Sequence, residues 1–192
     1  MDNEVAHCEL LQSINPQLRP AIEADLPAVK QLHRKAWPTE EGERIVQVVK
    51  NLWQTSTGAP HPTRHWVITD KDEAILGHVC SSGITTAQQG RVGWILAPLA
   101  VAPEHQGIGY GSALVRHAIN HALTSDQQRI VVYGDPAYYE RFGFDNQAAI
   151  TFKPPYPLSH PIGWQGIVAN EEELPCPADV KCHKALMQAE LW

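Results

Sequence analysis

Leu99-Ala100-Val101-Ala102-Pro103-Glu104-His105-Gln106-Gly107-Ile108-Gly109-Tyr110-Gly111-Ser112-Ala113-Leu114 reads as a strand that passes through a glycine-rich turn into a helix. Glycines at 107, 109 and 111 free the backbone for conformations barred to other residues and leave bare N–H groups facing outward. The helix behind them adds the positive end of its dipole. The ligand suited to that arrangement is an anion such as a pyrophosphate. A P-loop would require Gly-Lys-Ser/Thr, which the segment lacks. A dinucleotide fingerprint would set its third glycine three residues beyond the second, with an acidic residue closing the next strand, whereas Gly107, Gly109 and Gly111 are evenly spaced.

The pattern around this segment is mixed α/β. Upstream, residues 65–69, 74–86 and 91–101 read as three strands of an antiparallel meander, with a charged turn at 70–73. Downstream, residues 109–123 form an amphipathic helix with Leu114, Val115, Ala118, Ile119 and Ala122 inward. Residues 129–133 then read as a β-branched, buried strand. Nearer the start, residues 18–22 suggest a short strand. A helix follows from 23–27, with Leu26, Val29, Leu32 and His33 at helical spacing, and a second covers 41–54 through Ile45, Val48, Val49 and Leu52. Beyond 133 the expectation is a turn or short helix at 136–141, a strand at 145–152, a proline-rich crossing, a strand at 164–168 and a short helix near Lys184. There is no internal repeat. Residues 1–16 are expected to be a flexible leader, and 17–192 a single domain.

Composition narrows the function class. The chain has 192 residues, 43% of them hydrophobic, with a formal charge of -6 and no Lys/Arg cluster. It is long enough to bury a core, and it offers no basic surface for tracking phosphates of nucleic acid. The apolar run at 94–102 is interrupted by Pro98 and falls short of the roughly 20 residues a membrane helix needs. No secretory signal opens the chain, so the expected location is the cytoplasm. Cys8, Cys80, Cys176 and Cys182 are too few and too scattered for a disulfide scaffold. Cys176, Cys182 and His183 match no common zinc spacing, so no metal is expected.

Gln106, Gly109 and Gly111 match, in register, the Q/R-x-x-G-x-G/A motif, and the chain thereby resembles the GNAT superfamily of N-acetyltransferases. Tyr138-Tyr139-Glu140-Arg141-Phe142-Gly143-Phe144 resembles that family's second signature, Y-x-x-x-G-F. With Gly134-Asp135-Pro136-Ala137 before it, this string is similar to a bacterial branch often called YhbS-like. The resemblance implies a mostly antiparallel mixed sheet, helices on both faces and a V-shaped cleft between the central strands. Its cosubstrate would be acetyl-CoA, with no metal. The implied reaction moves the acetyl group directly to a primary amine, on a small molecule in the first reading. A peptide or protein amine, or a non-catalytic acetyl-CoA sensor, are the alternatives. Neither nucleic acid nor membrane is an expected partner; a homodimer is.

The resemblance also implies residue roles. Leu99, Ala100 and Val101 would offer backbone hydrogen bonds to the pantetheine arm. Gly107, Ile108, Gly109, Tyr110, Gly111 and Ser112 would bind the pyrophosphate through backbone N–H groups. Tyr139 stands where the family commonly protonates the leaving thiolate, and Tyr138 is expected at the core or rim. Many members carry an asparagine about two turns before the tyrosine; here the linker is shorter, and Asp135 stands in its place. Pro98 marks a break in strand pairing. For the base that deprotonates an ammonium, His78, Glu40 and Glu41 are candidates beside a water-mediated route. Cys80 is expected in the core, and Trp37, Trp53, Trp66, Trp94 and Trp164 either pack the core or line an acceptor pocket.

Overall fold

The computed structural model describes residues 16–54, 59–87, 90–169 and 178–192. The chain runs β1 (Gln17–Pro20), α1 (Leu26–Ala36), α2 (Glu40–Trp53), β2 (Thr63–Thr69), β3 (Ile75–Thr86), β4 (Arg91–Val101) and α3 (Tyr110–Leu123). It continues through β5 (Arg129–Tyr133), α4 (Pro136–Tyr139), α5 (Asn146–Ile150), β6 (Phe152–Lys153), β7 (Trp164–Val168) and β8 (Ala178–Lys181). The sheet order is β1-β2-β3-β4-β5-β7, with β8 pairing both the end of β3 and β6. Neighbours are antiparallel except β4 with β5 and β6 with β8, which are parallel.

β5 is apolar from Ile130 to Val132 because both its faces are covered. Ile130 and Val132 pack with Leu114, Val115 and Ala118 of α3, whereas Val131 packs on the opposite side with Val48 and Leu52 of α2. The helical faces read from the sequence are the faces that are buried: Val29, Leu32 and His33 in α1, and Val48, Val49 and Leu52 in α2. Two expectations need correction. Residues 145–152 are not a strand: Asp145 makes an isolated bridge to Gly166, and the chain then coils into α5. The Asn146-Gln147-Ala148-Ala149 run has too few β-branched side chains to hold a strand, and its Gln and Ala favour a helix. The opening strand ends at Pro20 rather than residue 22, where Ile22 begins the turn into α1. Cys8 and Cys176 lie outside the described residues, as do residues 1–15 of the expected leader. Among the described residues no helix is long and apolar enough to cross a membrane, and no group of three His, Cys, Asp or Glu could hold a metal ion.

Beneath α1 and α2 runs a chain of imidazoles. His33 Nε2 is hydrogen-bonded to His78 Nδ1 at 3.0 Å, and His78 Nε2 to His65 Nδ1 at 3.1 Å. Cys80 Sγ lies 3.7 Å from the far nitrogen of His65. His33 and His78 are fully buried, and Trp53 covers His65 with ring centroids 4.4 Å apart. Burial holds all three rings neutral: His33 falls to about 3, His65 to about 4, and His78 well below the ordinary 6.5.

These depressed values fix a sign. Below pH 6.5 the unfolded chain takes up protons that the native state refuses until about pH 4, so stability falls with falling pH across that window. Each histidine contributes up to about 1.4 kcal/mol per pH unit. Urea unfolding at pH 7, 6 and 5 should show this loss, and His33→Leu should flatten the slope by about one proton; an unchanged slope would mean that His33 titrates normally.

Candidate active site

The cleft exists because β4 and β5 part company. They pair over three positions only, Trp94 with Ile130, Ile95 with Val131 and Leu96 with Val132. On its other edge β4 carries an extra residue, since Val79 faces Leu99 while Ser81 already faces Leu96. The bulge holds Ala97 and Pro98, joined by a cis peptide. Pro98 has no N–H to offer a ladder. Beyond Leu96 the β5-facing edge of β4 therefore makes no strand bonds, while β5 stays paired with β7 along its whole length.

The loop end of the cleft is a cavity of about 590 Å³ lined by Leu99, Ala100, Val101, Gln106, Gly107, Gly109, Gly111 and Ser112, with Tyr138 and Arg141 opposite. Gly107 and Gly109 have φ of 79° and 102°, and a Cβ at either would meet nothing within 4 Å, so the turn shows the cleft a bare, open backbone. Gly109 caps α3, whose first-turn N–H groups are left for an outside acceptor. The Gln106 side-chain amide donates to the Val101 carbonyl at 3.1 Å, tying the turn to the end of β4. Ile108 and Tyr110 differ from their neighbours: their side chains pack into the core under α3, so only their backbone can serve a ligand. Arg141 stacks its guanidinium over Tyr138, 4.2 Å from the ring centroid, and donates to Ser112 Oγ at 3.4 Å. A fixed cation thus joins the positive helix end, which fits a pyrophosphate or another phosphate group.

The other end of the cleft is a cavity of about 440 Å³ between α2, the splayed ends of β4 and β5, and residues 186–192. Tyr139 and Asp135 line it, and Trp37, Leu99 and Tyr138 wall both cavities. Asp135 caps α4, accepting the Ala137 N–H at 3.0 Å. Tyr139 is seated by a close approach: a Cβ on Gly134 would collide with its ring, and Phe144 meets it edge-on at 5.7 Å. Burial, and secondarily Tyr138, hold the Tyr139 phenol above its ordinary value of 10, so it keeps its proton.

Of the three candidate bases, only Glu41 lines the cleft. His78 is sealed in the imidazole chain and lines neither cavity. Cys80 is buried, and burial raises its thiol far above the thiolate range. Trp53, Trp66, Trp94 and Trp164 pack the interior, and Trp37 alone of the five reaches the cleft. Sequence reasoning passed over Arg141, which sits inside the second signature, and Gly134. It also passed over Leu186, Leu191 and Trp192, whose distance along the chain gives no local signal.

Residues 26–144 match the model of the acetyltransferase (GNAT) family. The chain belongs to the GNAT family of acetyl-CoA-dependent N-acetyltransferases. It is 36% identical over 91 residues to the uncharacterised N-acetyltransferase YjhQ of Escherichia coli, a match covering 46% of this chain and half the length of YjhQ. To YhbS of the same organism it is 27% identical over 129 residues, covering 67% of this chain and 72% of YhbS. The crystal structure of YhbS in complex with CoA superposes with a TM-score of 0.77 at 22% identity, covering 90% of this chain and 92% of that one. A GNAT acetyltransferase of Brucella melitensis in complex with acetyl-CoA gives 0.70 at 22% identity, covering 89% and 97%. These likenesses bear out the mixed, mostly antiparallel GNAT fold.

Arg141→Ala removes the cation from the loop end while leaving the core untouched. Acetyl-CoA affinity measured by calorimetry should fall about tenfold or more, as expected when a hydrogen bond to a charged group worth about 1.5–3 kcal/mol is lost. The thermal midpoint should hardly move.

Proposed function

We propose that this protein acetylates a primary amine of a small molecule by direct transfer from acetyl-CoA. The observation that carries the reading is one continuous cleft with an anion cradle at one end and a protonated, half-buried tyrosine at the other. The bound cosubstrate supplies an activated thioester, and every other part of the chemistry falls to this chain. The unpaired edge of β4 at Leu99, Ala100 and Val101 offers backbone groups to the pantetheine arm. The turn from Gly107 to Ser112, with Arg141, holds the phosphates.

Tyr139, which keeps its proton at neutral pH, donates it to the sulfur as the C–S bond breaks. Glu41 takes the proton that the acceptor ammonium must lose before attack, directly or through water. Direct transfer is favoured over an acyl-enzyme because Cys80 lies outside the cleft as a buried, protonated thiol. The size of the inner cavity, about 440 Å³, lies in the range of small-molecule sites and supports a small acceptor over a protein surface.

Calorimetry should show saturable acetyl-CoA binding, and an amine should release CoA in a thiol assay. Tyr139→Phe should lower kcat by about 10² or more with little change in acetyl-CoA affinity. Unchanged turnover would remove the acid role, and tight binding without transfer to any amine would favour a sensor.

A further inference from the structure

The inner end of the cleft has a composition that selects among amines. Its walls are Ile45 and Val48 of α2, Ile95 of β4, Leu186 and Leu191, with the rings of Trp37, Tyr133 and Trp192. Among the described residues no Lys, Arg or His lines it. An acceptor carrying a carboxylate or phosphate would find no counter-charge there. A sugar amine would bury hydroxyls against hydrocarbon, at about 1–3 kcal/mol for each one left without a partner. A second ammonium, as in a polyamine, would share Asp135 with the start of α4, where Oδ1 accepts the Ala137 N–H.

Among the described residues the carboxylates on its wall are Asp135, at the start of α4, and Glu41. Glu41 stands one and two turns before Ile45 and Val48 on the same helical face, in the first turn of α2, where the helix end favours its charge. Its neighbour Glu43 is engaged by Arg34, whereas Glu41 has no ion-pair partner among the described residues. The corner between α1 and α2 fixes Glu41 beside an aromatic ring. Gly42 packs so closely on the Trp37 carbonyl that any Cβ there would clash, which sets Trp37 and Glu41 on one rim. Trp37 is 40% exposed, unusual for so large an apolar side chain. The far wall is rigid: Trp192 Nε1 donates to the Leu186 carbonyl at 2.9 Å, and its ring stacks on Tyr133 at 6.0 Å.

We infer that the acceptor is a primary amine joined by a short linker to an aromatic or similarly flat apolar body, its ammonium held at Glu41 and its body between Trp37, Tyr133 and Trp192. This rests on the acetyltransferase reading above.

Acetyl-CoA binding is first measured by calorimetry on the full chain, which tests that reading alone. CoA release is then followed with 2-phenylethylamine and tryptamine against spermidine, glucosamine and a lysine-containing peptide. The aryl amines should exceed the others at least tenfold in kcat/KM. Glu41→Gln should raise KM for 2-phenylethylamine about tenfold while leaving the acetyl-CoA Kd unchanged, and Trp37→Ala should raise that KM by a similar factor. Binding of acetyl-CoA with preference for spermidine, glucosamine or the peptide, or with no turnover of either aryl amine, would overturn the inference and leave the acetyltransferase reading standing. Unchanged KM in both variants would overturn it equally. No acetyl-CoA binding would remove both.

Discussion

The parting of β4 from β5 is the constraint on which the rest depends. Two parallel strands that stayed paired would satisfy each other's backbone groups and leave no room for a ligand. Here the pairing stops after Leu96 and Val132, because a bulge at Ala97 and Pro98 turns β4 and an imino acid withholds a donor. The exposed backbone edge is left facing the cleft, and both cavities are lined by it. β5 tolerates the loss because β7 pairs with it from Arg129 to Tyr133. The wedge is thus held open by a complete ladder on one side and by the β3–β4 ladder on the other.

Much of this was legible in the sequence where the signal is local. The apolar spacing of α1, α2 and α3, the even glycines at 107, 109 and 111, and Pro98 within an otherwise continuous strand each report a backbone conformation set by nearby residues. The strand expected at 145–152 failed for the opposite reason. Its pairing is decided by β7 and β8, which pair with it at Gly166 and Ala178 only. The four residues of β8 are too few to stand out as a strand by alternation.

The two halves of the site differ in the same way. The phosphate end is built by one continuous stretch plus Arg141 nearby, so a motif could point to it. The inner end draws on α2, on β5 and on residues 186–192, which meet only after folding. Ile108 and Tyr110 illustrate a finer limit: spacing placed them in the turn, but could not tell that their side chains anchor it from below. The carboxylate at 41 was one candidate among three until the fold set it on the cleft wall and sealed His78 in the imidazole chain.

Trp37, Leu99 and Tyr138 belong to both cavities. A partition shared in this way cannot respond to one occupant without altering the room left for the other. Any change that filling the loop end makes in the affinity of the inner end is returned by the same factor in reverse. The three shared side chains are the place where the two ends of the cleft can be coupled, with no separate gate.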